Sequence, residues 1–79
     1  MTPFQNQFLD LIKASIEKNG TFVYHRYSIE EMFSELKQAQ IKKEIQDLID
    51  RDIITKSPIR IYNNGKYFTK VFFRINKTN

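Results

Sequence analysis

The stretch Leu36–Ile54, LKQAQIKKEIQDLIDRDII, decides the fold of this chain. Ile41, Ile45, Leu48 and Ile49 recur at three- and four-residue spacing, the period of a helix with one apolar face. No Pro or Gly interrupts them, so a helix is expected over 38–51. Past Asp52 the period falls from 3.6 towards 2. The runs IITKSPIRIY and KYFTKVFFRIN flank NNG, and Asn-Gly between two β-rich runs is a strong hairpin signal. A hairpin is expected over 53–75, with Asn64-Gly65 as its two-residue turn, Tyr62 paired with Tyr67 and Arg60 opposite Thr69. Pro58 has no N–H to give to a ladder, so its strand should lie at an edge or carry a bulge. Residues 76–79 (NKTN) are expected to fray.

With Ile45 facing the core, a helical wheel turns Gln40, Lys43, Asp47 and Asp50 outward. The first half of this face is amide and cationic and the second half acidic. Such a face is either ordinarily solvated or suited to enter a groove of nucleic acid by its N-terminal end. Acids near a helix C-terminus oppose the macrodipole, so helix stability does not account for Asp47 and Asp50.

Upstream, Thr2 can cap a first helix with Pro3 at its first position, where the missing N–H costs nothing. Phe4, Phe8, Leu11, Ile12 and Ile16 then mark one face of a helix over about 3–19, and Asn19-Gly20 supplies a left-handed stop. TFVYHRY (21–27) is dense in β-branched and aromatic residues and is expected to be a short strand. A second helix is expected over 28–37. Ser28 and Glu31 have the spacing of a capping box, Tyr27 and Met32 that of a hydrophobic staple, and Ile29, Met32, Phe33 and Leu36 form its stripe.

The 79 residues allow one domain, 1–79, and 41% apolar with 14% aromatic content suffices for a core and argues against disorder. There is no Cys and a single His, His25, so neither a disulfide frame nor the usual zinc constellation can form. Asp47 and Asp50 have no further converging ligands in the sequence, and both glycines, Gly20 and Gly65, belong to turns rather than to a phosphate-binding loop. So small a domain leaves little room for a substrate pocket. The composition therefore points away from an enzyme, and no cofactor, metal, catalytic residue or small-molecule substrate is expected. The N-terminus lacks the pattern of a signal peptide, and no apolar run approaches the ~20 residues of a membrane span. A cytoplasmic protein without a membrane partner is expected. Abundant Ile, Lys and Asn suit an AT-rich genome such as that of a phage, a plasmid or a low-GC bacterium.

The net charge of +4 is unevenly spread. Residues 1–50 carry six Lys/Arg against eight Asp/Glu, whereas residues 51–79 carry seven Lys/Arg against Asp52 alone. Charge that discourages edge pairing of a hairpin can be of mixed sign. One sign dominates here, which favours a polyanionic partner.

Helix, short strand, helix, helix and two-stranded hairpin is an element order that resembles the winged helix-turn-helix superfamily. The resemblance covers Thr2 to about Ile75 and is most specific over Leu36–Ile54, where Leu36, Ile41, Ile45, Leu48 and LIDRDII occupy the family's apolar places. Glu35 and Asp52 stand where many members have Gly. The resemblance implies an α+β winged helix-turn-helix fold: three helices, a short strand after the first, and a C-terminal hairpin as the wing. It also implies double-stranded DNA as partner, with helix 3 in the major groove and the wing on the backbone. Carried onto this chain, the base-reading candidates are Lys37, Gln38, Gln40, Lys43 and Gln46, since Gln can pair bidentately with adenine and Lys can donate to guanine. The backbone candidates are Lys42, Lys56, Arg60, Asn63, Asn64, Lys66, Lys70 and Arg74.

Tyr62 and Tyr67 can serve as cross-strand stabilisers or as a stacking platform for bases. Tyr67, Phe72 and Phe73 are candidates for a homodimer or partner surface, because one face of the last strand would remain exposed in a monomer. The expected function is that of a small DNA-binding regulator of transcription, replication or maintenance, probed against two alternatives. One is a winged-helix module that docks on a protein, such as a phage-encoded modulator of a host protein. The other is a single-stranded nucleic-acid binder.

Overall fold

Thr2 opens the first helix, α1 (Pro3–Asn19), through a reciprocal cap. The Gln5 backbone N–H donates to Thr2 Oγ1 (3.1 Å) and the Thr2 N–H donates to Gln5 Oε1 (3.0 Å). Gly20 closes the helix at φ 79°, a conformation that costs a Cβ-less residue little. These elements belong to a computed structural model that describes residues 1–76. The expected fraying of residues 77–79 lies outside the described residues.

The architecture is α+β: three helices and a three-stranded antiparallel sheet. After α1 come β1 (Val23–Tyr24), α2 (Arg26–Met32), α3 (Gln38–Asp50), β2 (Ile54–Asn63) and β3 (Lys66–Ile75). The sheet order is β1-β3-β2, so β3 is central. Pro58 lies on an edge strand and pairs with Val71 in an unbroken register from Ile54↔Ile75 to Asn63↔Lys66. The edge explains how the ring is tolerated without a bulge. Asn64 (φ 51°) and Gly65 (φ 76°) are both left-handed, as a type I′ turn requires, and Tyr62↔Tyr67 and Arg60↔Thr69 pair as the spacing predicts.

One apolar cluster joins the helices to one face of the sheet. Phe8 is fully buried and its ring meets Phe22, Tyr24 and Phe73 edge-on at centroid distances of 5.9, 6.4 and 5.9 Å. Ile12, Ile41, Leu48 and Ile54 complete the tightly buried set. A buried polar link, invisible to periodicity, ties α1 to α3. Gln5 is 2% exposed, and its Nε2 donates to the Glu44 carbonyl (3.0 Å) and to Asp47 Oδ2 (2.9 Å). Glu44 is also buried, at 7% exposure.

The middle of the chain departs from the pattern. Of the expected 21–27 strand only Val23 and Tyr24 form β1 against β3, with the Phe22 carbonyl accepting one further bond from the Phe73 N–H (3.2 Å). The second helix starts at Arg26 rather than Ser28, with extended His25 (φ −116°, ψ 108°) as its cap. The Ser28–Glu31 capping box is therefore absent. Instead Arg26 pairs with Glu30 one turn on (3.5 Å) and stacks over Tyr27 (4.8 Å) in the first turn. The Tyr27–Met32 staple also fails, with these residues 76% and 56% exposed. The helix stops at Met32 because Phe33 leaves the helical conformation (φ −119°, ψ 48°) and buries its ring edge-on against Phe4 at 4.7 Å. Leu36, expected inside this helix, lies in the turn that follows it, where its N–H donates to the Phe33 carbonyl (3.0 Å).

Asp52 adopts φ 58°, the conformation for which Gly is favoured, and its carbonyl and Oδ1 accept from Asn76 Nδ2 (3.0 and 3.1 Å). Asn76 also donates its N–H to the Ile53 carbonyl and accepts from Thr55 Oγ1 (2.6 Å), so it is anchored rather than frayed.

A Cβ on Gly65 would meet only Tyr62 Oη, at 3.9 Å, so Gly65→Ala is expected to act through backbone strain alone. The expected cost is about 1 kcal/mol, or roughly 4–8 °C in the thermal midpoint of a domain this size, read by circular dichroism. The hydrogen bond from Gln5, and secondarily that from Arg51, holds the Asp47 carboxyl below its usual value of 3.8. A group depressed in the folded state contributes stability above its unfolded value and loses it as pH falls through the folded one. Wild type should thus lose more stability below about pH 4 than Asp47→Asn does, in urea titrations at stepped pH.

Candidate nucleic-acid interface

The pleat of the hairpin sorts its side chains strictly. In the register Lys56↔Phe73, the set Ile54, Lys56, Pro58, Arg60 and Tyr62 of β2 shares a face with Tyr67, Thr69, Val71, Phe73 and Ile75 of β3. Ile54 and Phe73 are buried in the core, so this is the face that meets the helices. The alternate residues face away.

Between α2, α3 and this inner face runs a groove of about 290 Å³. Tyr24, Ile41, Ile45, Ile49, Val71 and Phe73 contribute its apolar surface; Gln38, Lys42 and Gln46, one turn apart along α3, form one wall. Lys56 comes from the opposite strand, and Arg26 and Glu30 from α2. Three cations thus converge on one depression, with Glu30 the one acid lining it and already paired to Arg26 at 3.5 Å. Farther along the inner face, Arg60 lies over the Tyr67 ring (4.6 Å), which packs on Tyr62 at 4.8 Å. Both tyrosines remain more than half exposed, so the pair braces the strands and still presents ring surface to solvent.

The candidates named from sequence separate into groups. Gln38, Lys42 and Gln46 line the groove, whereas Gln40 and Lys43 are exposed on α3 outside it, and Lys37 caps the helix. Gln46 Nε2 donates to Asp50 Oδ1 (2.9 Å), a bond it must release before it can meet a base. Asp47 is held by Gln5 and by Arg51 (3.5 Å), so this acid has a structural role within the fold. Among the backbone candidates, Lys56 and Arg60 are on the inner face. Asn63, Lys66, Lys70 and Arg74 point to the other side of the sheet, and Asn64 is in the turn. The candidate partner surface changes too: Phe73 is 4% exposed, sealed in the core, and cannot serve. Phe72 and Tyr67 lie on opposite faces and cannot form one patch.

Arg26 and Tyr24 were not among the sequence candidates. Both sit beyond the segment that carries the helical signal, and only the β1–β3 pairing brings them to the groove. Burial, and then the nearby Glu30 carboxylate, push the Tyr24 hydroxyl above its usual value of 10.0, partly offset by Arg26. It therefore faces the groove as a neutral donor and acceptor. The α3 N-terminus has no side-chain cap bond; the Gln40 N–H donates to the Lys37 carbonyl (2.9 Å), which leaves the Gln38 and Ala39 N–H groups directed at whatever approaches the helix start. Among the described residues no group of three or more His, Asp or Glu gathers as a metal site, and no helix is long and apolar enough to cross a membrane.

Tyr24→Phe should remove a tyrosinate absorbance step lying above the usual 10.0 in an alkaline titration of the folded protein. An unchanged titration would mean that Tyr24 is not in the environment described.

No family model, curated protein or solved structure matches the chain, and the functional assignment therefore rests on the groove's own chemistry.

Proposed function

We propose that the chain is a winged helix-turn-helix protein that binds double-stranded DNA. In this assignment α3 enters the major groove and the inner face of the β2–β3 hairpin, as the wing, rests on the phosphate backbone. One observation carries it: Arg26, Lys42 and Lys56 converge with Gln38 and Gln46 on a single depression between α3 and the hairpin. Amides and ammonium groups on a helix have the donor and acceptor pattern that reads base edges. Cations on the facing strand need only reach phosphates. The uncapped α3 N-terminus adds free N–H groups and the positive end of the helix dipole beside the same wall. A regulator of transcription, replication or maintenance is the role such a module would serve.

The test is fluorescence anisotropy with labelled duplex of random sequence, across roughly 50 to 200 mM salt. Lys42→Ala and Lys56→Ala should weaken binding to every duplex, each lowering the slope of log affinity against log salt by about 0.9 per lost phosphate contact. Gln38→Ala should cost about 1–3 kcal/mol at particular base pairs of a selected site and little elsewhere. Absence of duplex binding at the lowest salt would overturn the proposal and turn the groove into a candidate protein-docking cleft.

A further inference from the structure

The residues left over by the groove form a pattern of their own. Lys66, Phe68, Lys70, Phe72 and Arg74 of β3 all project from the outer face of the sheet. Cations and aromatic rings thus alternate along the central strand at intervals of about 7 Å. Phe68 is 42% exposed and Phe72 half-buried, and neither packs against the core cluster. Ile59 and Ile61 flank the row on β2 and Val23 on β1, and no strand of the sheet contains an Asp or Glu.

We propose that this outer face is a second nucleic-acid site, one that takes a single strand. Bases would lie on Phe68 and Phe72, and phosphates on Lys66, Lys70 and Arg74. The charge selects a polyanion, since every ionisable side chain on the face is positive. The alternation selects one with a flat group between its charges, because base stacking on an aromatic side chain tolerates any sequence. A second copy of this chain fits poorly: a symmetric pairing would bring two rows of three cations together. An acidic amphipathic peptide matches the charge and could cover the rings, but its apolar side chains do not require flat groups at a fixed interval. Its binding is therefore a separate arm of the test. Duplex is also disfavoured, because its bases are stacked inside and cannot reach Phe68. The site is separate from the groove, so either can fail alone.

The experiment is anisotropy of the full chain with labelled oligothymidylate of about 12 nucleotides, within the usual site sizes of ~4–16. Wild type should bind with a salt slope near 2, about 0.7 for each of three phosphate contacts. Phe68→Ala should weaken binding about tenfold. Phe68→Tyr should retain it, and circular dichroism should show both variants folded. Lys42→Ala and Lys56→Ala should leave oligothymidylate binding unchanged, and Phe68→Ala should leave duplex binding unchanged. The proposal is overturned if wild type fails to bind at about 50 mM salt, or if Phe68→Ala binds as well as wild type. It is equally overturned if the groove variants lose the oligonucleotide, which would put the strand in the groove. Binding of a Leu/Glu amphipathic peptide in place of oligothymidylate would reassign the face to an acidic protein segment. Oligothymidylate binding that depends on Phe68, without any duplex binding, would sustain this site while the groove assignment fell.

Discussion

The two-residue turn at Asn64-Gly65 is the constraint on which the surface chemistry depends. Because both residues hold positive φ, Tyr62 is set opposite Tyr67 and every later pair follows. A strand has a period of two, so a slip by one residue would send each side chain to the opposite face. Phe73 would leave the core, Lys56 would leave the groove, and the row of cations and rings on β3 would turn inward. The turn thus controls more than the hairpin: it divides the basic half of the protein into two faces with different side chains.

Burial reinforces this division at the base of the hairpin. Ile54 and Phe73 are locked against Phe8, Phe22, Tyr24 and the helices, which holds the inner face at a fixed position relative to α3. The Gln5 link works on the other side of α3. An amide buried beside Glu44 and Asp47 must keep its partners or bear the cost of unmet hydrogen bonds, so it restrains the rotation of α3 about its axis. That rotation decides which stripe of α3 faces the hairpin. Gln38, Lys42 and Gln46 face it because Ile41, Ile45 and Leu48 are held in the core and the Glu44 carbonyl is held by Gln5 of α1. Arg26–Glu30 leaves a net positive groove, since the carboxylate offsets one of the three cations.

The sequence failed where local signals competed with aromatic packing. Ser28-x-x-Glu31 has the spacing of a helix start, yet the helix begins two residues earlier, directly after extended His25 and the last β1 residue, Tyr24. Phe33 fits a helical stripe, but it leaves the helical conformation and its ring packs edge-on against Phe4. Asn76 looked like part of a polar tail and is instead held by Asp52, Ile53 and Thr55, partners made adjacent only by the closing of the sheet. Asp52 shows the reverse case: it is not a glycine but still takes the left-handed conformation, since a short polar side chain tolerates it.

The sequence by itself determined the element order, the bounds of α1 and, to within a residue, of α3, and the hairpin with its register. Each rests on signals within a few residues: a cap, a period, an Asn-Gly turn. It also determined that the C-terminal half is basic. Only the tertiary structure decided where those charges act. Arg26 and Tyr24 reach the groove through pairing with a strand nearly fifty residues away in sequence. Phe72 and Phe73 are neighbours in the chain with opposite fates, one on the outer face and one in the core. Composition and spacing describe which groups a chain carries, whereas the face on which each appears depends on contacts between distant segments, and those exist only once the core has closed.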